Sequence, residues 1–305
     1  MAKYLVIGGT GTLGKAFIEK AVSHGHAVTC FSRCELKQKE LQASVKGQVK
    51  CVIGDVRDRD AVMRVTRGFD SVFLFAALKH VDTLEFNPEE AFKTNVIGTV
   101  NALDAAEQNG VKNFVFSSTD KAVDPVNAYG YSKALAEKII QARTGPCTYK
   151  VYRWGNVISS RGSVIPMFIE QLKKSNEVRL TDTSMTRFLI KIHEVVNFIF
   201  DTFELGTSNE ILIPSIKAAS IQQLVRVIAS LLGVKNYKTN IMGIRPGEKL
   251  HETLVSAHIG AVESCDPKYA FTDSELADYL APIILGESIK PREQFVPKIL
   301  EARYS

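Results

Sequence analysis

An apolar run from Lys3 to Ile7 breaks abruptly into Gly8-Gly9-Thr10-Gly11-Thr12-Leu13-Gly14, and an amphipathic segment follows through Ala21. The order is strand, glycine turn, helix, and it restricts the fold more than any other stretch of the chain. Gly8 permits a tight turn, Gly11 lets backbone approach a pyrophosphate, and Gly14 lets the helix pack on the sheet. The amino end of the helix then offers N–H groups and a positive dipole to phosphates. Gly8, Thr10, Gly11, Thr12, Leu13 and Gly14 are thus candidate ligands of a dinucleotide, with a plain turn as the alternative.

The same alternation continues. Apolar, β-branched or aromatic runs at Ala27–Phe31, Val49–Ile53, Ser71–Phe75, Asn113–Phe116 and Thr148–Tyr152 read as further strands. Pro88 opens a long helix that Gly110 ends. Strands alternating with helices predict an α/β fold, a doubly wound parallel (Rossmann) sheet. Beyond Arg153-Trp154-Gly155-Asn156 the alternation weakens. A short helix is expected near Pro166–Lys174 and a strand near Val178–Leu180, and Thr186–Phe203 reads as a strand and helix that could rejoin the sheet. Ser220 caps a helix over Ile221–Leu232 that Gly233 ends. The expected division is a Rossmann domain over 1–156 and 186–212, with a smaller carboxyl-terminal substrate domain over 157–185 and 213–305. The segment past Asp273 reads as peripheral.

The loop after the second strand discriminates cofactors. NAD-binding sheets usually carry an acid there, whereas an arginine accommodates the 2′-phosphate of NADP. Ser32 and Arg33 stand at that place with Lys37 one turn later, which predicts NADP. Gly54-Asp55-Val56 ends the third strand, where Asp55 could accept from an adenine amino group or simply close a turn. Small Ala76 and Ala77 after the fourth strand allow close passage of a cofactor, Lys79 could meet phosphate, and Asn95 could bond backbone near the central loop.

That central loop lies within Ser117–Lys138, SSTDKAVDPVNAYGYSKALAEK. Thr119, Asp120 and Lys121 fall where the fifth strand ends, the edge at which open α/β sheets bind ligands. Tyr129 and Lys133 are four apart at the start of the next helix, on one face and about 6 Å apart along its axis. A tyrosine titrates near ~10, and a nearby lysine cation favours its phenolate. Thr119 could hydrogen-bond a substrate oxygen whose proton leaves. Together these groups could deprotonate a carbinol as hydride departs from its carbon. Downstream, Gly243 to Glu252, GIRPGEKLHE, is a plausible anion clamp in which Arg245 suits a diphosphate and Glu248 ribose hydroxyls.

Composition sets the remaining bounds. The chain has 305 residues, 45% hydrophobic and 23% charged, with a net charge of +5 but no block of basic residues. That balance suits anionic small ligands as readily as nucleic acid. No apolar run approaches the ~18 residues of a membrane span. The amino terminus enters a strand at once, which leaves no room for a signal peptide. Five cysteines without paired spacing predict no metal site and reduced thiols, hence a cytoplasmic setting.

The glycine turn, Tyr129-x-x-x-Lys133 and the strand order resemble the extended short-chain dehydrogenase/reductase superfamily. The strings SRCELKQ, AALKHV, KTNVIGT, SSTDKAVDPVNAYGYSK, WGNVISSRGSVIP, MTRF and IRPGEKLHE are similar, in that order, to the inverting UDP-N-acetylglucosamine 4,6-dehydratases. Trp154 departs from the tyrosine usual in that family. The resemblance implies that Tyr129 deprotonates the sugar 4-hydroxyl as hydride passes to NADP, with Lys133 orienting the nicotinamide ribose and lowering the tyrosine pKa. Lys121 would then remove the C5 proton, for which its own pKa has to be lowered, and Asp120 would protonate the departing 6-hydroxyl. Asn156, Ile165, Arg187, Arg245 and Glu248 would hold the UDP portion. The expected partner is a UDP-sugar rather than nucleic acid, in a homo-oligomer, dimer to hexamer. Two other readings stay open. One is a nucleotide-sugar 4-epimerase or reductase using only Thr119, Tyr129 and Lys133; the other is a non-catalytic NADP-binding protein.

Overall fold

A computed structural model describes residues 1–158, 163–205 and 208–286. Its first part runs β1 (Lys3–Ile7), α1 (Thr12–Ser23), β2 (Ala27–Ser32), α2 (Glu35–Ser44), β3 (Val49–Ile53), α3 (Arg59–Val65) and β4 (Ser71–Leu74). Then come α4 (Val81–Glu85), α5 (Pro88–Ala91), a π-helical segment over Phe92–Ile97, α6 (Gly98–Gln108), β5 (Asn113–Ser117), α7 (Ala128–Gln141) and β6 (Thr148–Tyr152). The later part adds β7 (Asn156–Val157), α8 (Val164–Ser175), β8 (Glu177–Leu180), β9 (Thr186–Ile190), α9 (Ile192–Thr202), β10 (Glu210–Leu212), β11 (Ala218–Ser220) and α10 (Ile221–Leu231). It closes with β12 (Lys238–Ile241), β13 (Thr253–Val255), β14 (Val262–Glu263) and α11 (Asp273–Ile284).

Seven strands form one parallel sheet in the order β10-β6-β5-β4-β1-β2-β3. Its central strands are buried on both faces, as a sheet covered by helices requires: all of Val72–Leu74 and Phe114–Phe116 are inside. The order reverses between β1 and β4, and at that switch point the carboxyl ends of the strands open a crevice. The sheet is therefore the doubly wound one expected, with β10 as a seventh strand.

Three expectations need correcting. Thr186–Ile190 does not return to the main sheet, because β9 is paired on one side by β7 and on the other by β11. Gly155 permits this, since a Cβ there would stand 2.4 Å from Phe188 Cβ. Helix α9 does rejoin the main body, through Phe200 against Phe17 of α1 at 5.1 Å. Secondly, the helix from Pro88 is continuous but not α throughout. Its π segment is a local insertion of the kind often found at functional sites, and it includes the buried Asn95. Thirdly, the segment past Asp273 is not peripheral. Helix α11 starts on a capping box of Thr272 and Glu275 and buries Leu276 and Leu280 in a second core with Phe168, Leu172 and Leu224. Residues 287–305 of the expected substrate domain, and 159–162 within WGNVISSRGSVIP, lie outside the described residues.

Candidate functional site

A cleft of about 1210 Å³ opens over the carboxyl ends of the strands. One wall carries the glycine turn (Gly11, Thr12, Leu13, Gly14) with Ala77 and Lys79; the floor carries Thr119, Lys121, Tyr129 and Lys133. The far wall is Asn156, Ile165, Arg187, Arg245 and Glu248. These are fifteen of the sequence candidates, and the fold brings them to one cavity from elements far apart in the chain.

The glycine turn has the geometry of a phosphate cradle. Gly8 has φ +88°, and a Cβ there would meet the Ala76 backbone nitrogen at 2.4 Å, so Gly8 both turns and lets β4's end pass. A Cβ at Gly14 would stand 2.5 Å from the Gly8 carbonyl oxygen, whereas one at Gly11 would meet only that oxygen, at 3.3 Å. Helix α1 starts at Thr12 with no side chain capping it, so its first amides are available to a ligand in the cleft. The residues present therefore fit a dinucleotide. Thr10, Ala76 and Val56 are not among the residues that line the cavity. Asn95 acts from below: its side chain accepts from Leu78 N–H and donates to Leu78 C=O, both at 2.9 Å, and donates to Ser132 Oγ, also at 2.9 Å. It ties the loop after β4 to helix α7.

Beyond β2, Arg33 is over half exposed, 3.7 Å from the Asp55 carboxylate, and Lys37 is exposed one turn on. Asp55 is gripped mainly by Arg57 at 2.6 Å. The competing pulls of burial, which raises it, and of Arg57 and Arg33 hold its carboxyl below the usual range. Ser32 is buried and its hydroxyl accepts from Gln38, so the cations of this stretch, Arg33 and Lys37, face solvent while its hydroxyl does not.

The floor holds the densest electrostatics. Thr119, two residues past β5, is in extended backbone, and a short 3-10 turn over Asp120–Ala122 follows. The Asp120 N–H donates to the Trp154 carbonyl at 2.9 Å, which fixes the carboxylate beneath Lys121, entirely out of solvent. Asp120 Oδ1 accepts from Thr119 Oγ1 and from Lys121 Nζ, each at 3.0 Å, while Oδ2 has no hydrogen-bond partner among the described residues. Lys121 Nζ also donates to Asn156 Oδ1 at 3.1 Å and lies 3.2 Å from Glu252 Oε1.

Burial alone would lower the Lys121 pKa, but Asp120 and Glu252 outweigh it and hold the ammonium above its ordinary value. The expectation that Lys121 is lowered is thus reversed in the ligand-free site. Tyr129 is pushed up to about 12 by burial, with Lys121 and a hydrogen bond to Thr119 working to lower it. Lys121 is thus a cation that lowers the phenol, a part expected of Lys133. Lys133 Nζ sits 3.7 Å above the Phe116 ring, and burial pulls it down to about 7 despite Glu137. That glutamate is already engaged by Arg153 Nη2 at 2.6 Å.

On the far wall, Arg187 is buried and occupied with backbone. It donates to the carbonyls of Thr186, Lys249 and Leu250 at 2.7, 2.9 and 3.1 Å. It thereby clamps the IRPGEKLHE loop, whose Arg245 is exposed and whose Glu248 accepts from the Arg245 N–H at 3.2 Å. Glu252, the last residue of that loop, is marked by no motif as a functional residue. Its only signal was its place at the end of a charged string in an otherwise apolar region. Among the described residues no cluster of three His, Cys, Asp or Glu could hold a metal ion, and no helix is long and apolar enough to cross a membrane.

Sheet order, glycine turn and the Tyr129/Lys133 helix make a Rossmann-type α/β fold, shared with solved nucleotide-sugar epimerases and dehydratases. The chain belongs to the family described as polysaccharide biosynthesis protein, whose profile matches residues 4–272. It is 40% identical over 264 residues to a UDP-glucose 4-epimerase of Rickettsia akari, covering 83% of this chain and 77% of that one. The X-ray structure of Pen from Bacillus thuringiensis superposes with a TM-score of 0.88 at 31% identity, covering 93% of this chain and 98% of that one. DesIV, a dTDP-glucose 4,6-dehydratase from Streptomyces venezuelae, shares the fold at 23% identity and a TM-score of 0.77, with 90% and 94% covered.

Proposed function

We propose that the protein is an NADP-dependent, C5-inverting UDP-N-acetylglucosamine 4,6-dehydratase. The observation that carries this reading is the buried Asp120–Lys121 pair beside Tyr129, with one Asp120 oxygen lacking a hydrogen-bond partner among the described residues. Oxidation at C4 alone needs a phenol, a hydroxyl and a lysine. A second acid and base below them have no task unless a proton is taken and water expelled at a neighbouring carbon.

The bound nicotinamide would accept hydride and return it. The chain's own groups do the rest. Tyr129, assisted by Lys121 and Thr119, takes the proton of the sugar 4-hydroxyl. The resulting ketone acidifies the C5 hydrogen. Transfer of one proton from Lys121 Nζ to Asp120 across their 3.0 Å hydrogen bond leaves a neutral amine and a carboxylic acid, the two states elimination needs. Lys121 covers Asp120, so the acid comes within reach of the 6-hydroxyl as the lysine turns to C5. The C5–H bond breaks toward Nζ, its electron pair forms the C5–C6 double bond, and the C6–O bond breaks as Asp120 protonates the oxygen, releasing water; hydride returned at C6 and a proton added at C5 from the opposite face would complete the product with C5 inverted. Arg245 and Glu248 would take the diphosphate and ribose of UDP, and Arg33 with Lys37 the 2′-phosphate of NADP. Cofactor-bound fold relatives such as DesIV, solved with NAD, support a nicotinamide dinucleotide in the glycine-turn wall.

A second reading has its own support: the curated relatives near 40% identity are named UDP-glucose 4-epimerases. Product mass separates the two. Incubation with UDP-N-acetylglucosamine in deuterated water should give loss of water and deuterium at C5; an unchanged mass with an altered C4 centre would establish epimerisation instead. Lys121→Ala should remove C5 exchange while a slow cofactor-reduction signal at C4 persists.

A further inference from the structure

Glu252 comes from the far end of the fold to the base of the proposed elimination. Its Oε1 lies 3.2 Å from Lys121 Nζ, opposite the Asp120 and Asn156 oxygens on the same ammonium. The carboxylate is 1% exposed yet borders the cleft. Its placement is over-determined: the Glu252 N–H donates to Ser264 Oγ, and the Ser264 N–H donates back to the Glu252 carbonyl, both at 2.8 Å. Ser264 Oγ in turn meets Thr186 Oγ1 at 2.7 Å, which meets His251 Nδ1 at 2.8 Å. A hairpin and two hydroxyls therefore hold a buried anion against a lysine whose own loop is elsewhere in the chain. Burying such a charge is costly unless it is answered, and Glu252 Oε2 has no hydrogen-bond partner among the described residues.

We propose that Glu252 is a positioning residue for Lys121: it steers Nζ between Asp120 and the sugar C5 and stabilises the ammonium that forms when the lysine takes the C5 proton. The proposal rests on the dehydratase reading for its catalytic consequence, but not for its effect on the lysine. When Lys121 has passed a proton to Asp120, Glu252 remains an anion beside a neutral amine. The C5–H bond then breaks, its proton forms the new N–H bond, and the positive charge appears 3.2 Å from a carboxylate already in place. Other charged or titratable groups face Nζ too: Asp120 from the lysine's own turn, Arg187 from β9, Tyr129 from α7 and Lys249 from the clamp loop. Arg187 Nε is 3.8 Å from Glu252 Oε1 and Lys249 Nζ 3.9 Å from Oε2. These cations moderate the glutamate without hydrogen-bonding it, so it stays an effective partner for Lys121.

The test uses the full-length protein with Glu252→Gln and Glu252→Asp. The first readout needs no substrate: acylation of Lys121 by a small acid anhydride at pH 9, quantified by peptide mass spectrometry relative to Lys79 in the same cleft. Glu252→Gln should raise that ratio about tenfold, the equivalent of about one pH unit in proton affinity, and Glu252→Asp should restore much of it. The second readout is turnover of UDP-N-acetylglucosamine. Glu252→Gln should slow C5 deuterium exchange about 100-fold with KM changed less than about threefold, leave cofactor reduction at C4, and move the pH profile to lower pH. An unchanged acylation ratio in both variants, or equal loss of C4 and C5 signals, overturns the proposal. If wild-type protein shows no C5 exchange at all, the dehydratase reading fails while the acylation ratio still decides whether Glu252 governs Lys121.

Discussion

Replacing Lys133 by methionine should stabilise the cofactor-free protein near neutral pH while ending catalysis. The lysine is 3% exposed, and burial pulls its pKa from 10.5 to about 7 against the opposing effect of Glu137. The unfolded chain keeps the ordinary value, so between those two pH values it binds a proton that the native state does not. Stability at this position therefore climbs as pH rises through that window, and the full penalty of the charge is felt below it. The gap corresponds to roughly 4–5 kcal/mol. The contact of the charged Nζ with the Phe116 ring, 3.7 Å away, offsets about 1–2 kcal/mol of that. Lys133→Met should thus gain about 2–4 kcal/mol at pH 7 and close to nothing above pH 10. Urea unfolding at pH 7 and at pH 10, followed through the single and buried Trp154, measures both values. A gain of equal size at the two pH values, or none at pH 7, would refute the assignment of a desolvated lysine here.

Three further outcomes are expected. Arg33→Ala should weaken NADP at least about tenfold and NAD less than about threefold; equal weakening in equilibrium titrations would remove Arg33 as the 2′-phosphate ligand. Gly14→Ala places a methyl 2.5 Å from the Gly8 carbonyl oxygen, so it should cost about 1–3 kcal/mol and loosen dinucleotide binding. A melting temperature and dinucleotide Kd like the parent's would show that the turn can yield. Arg187→Ala releases three backbone carbonyls and leaves Glu252 less compensated. It should destabilise by about 2–4 kcal/mol and raise KM for the UDP-sugar, and an unaltered KM would separate the clamp loop from substrate binding.

Local chemistry in the sequence predicted local structure well. The glycine turn, the strand ends and the Tyr129–Lys133 helix are each specified within a dozen residues, and the left-handed Gly8 and the uncapped start of α1 follow from them. What stayed hidden depends on distant pairings. Nothing near Thr186 reveals that β9 will be taken up by β7 and β11, and nothing near Asp273 reveals the apolar surface of α10 that buries α11. The charge state of Lys121 is hidden for the same reason. Its immediate neighbour Asp120 was visible, but Glu252 reaches it only through the fold. Likewise Asn95 was placed near the right loop, while its double bond to Leu78 depends on the π segment that carries it.

The ammonium shared by Asp120 and Glu252 has a bearing on how the protein comes into being. A growing polypeptide could complete its dinucleotide cradle once the early strands have paired, long before the carboxylate that answers Lys121 has been synthesised. Until that late hairpin docks, the lysine has Asp120 beside it but not its second carboxylate. Reactivity toward a sugar would then switch on as the last event of maturation, so that an incomplete chain could bind its coenzyme yet do no harm with it.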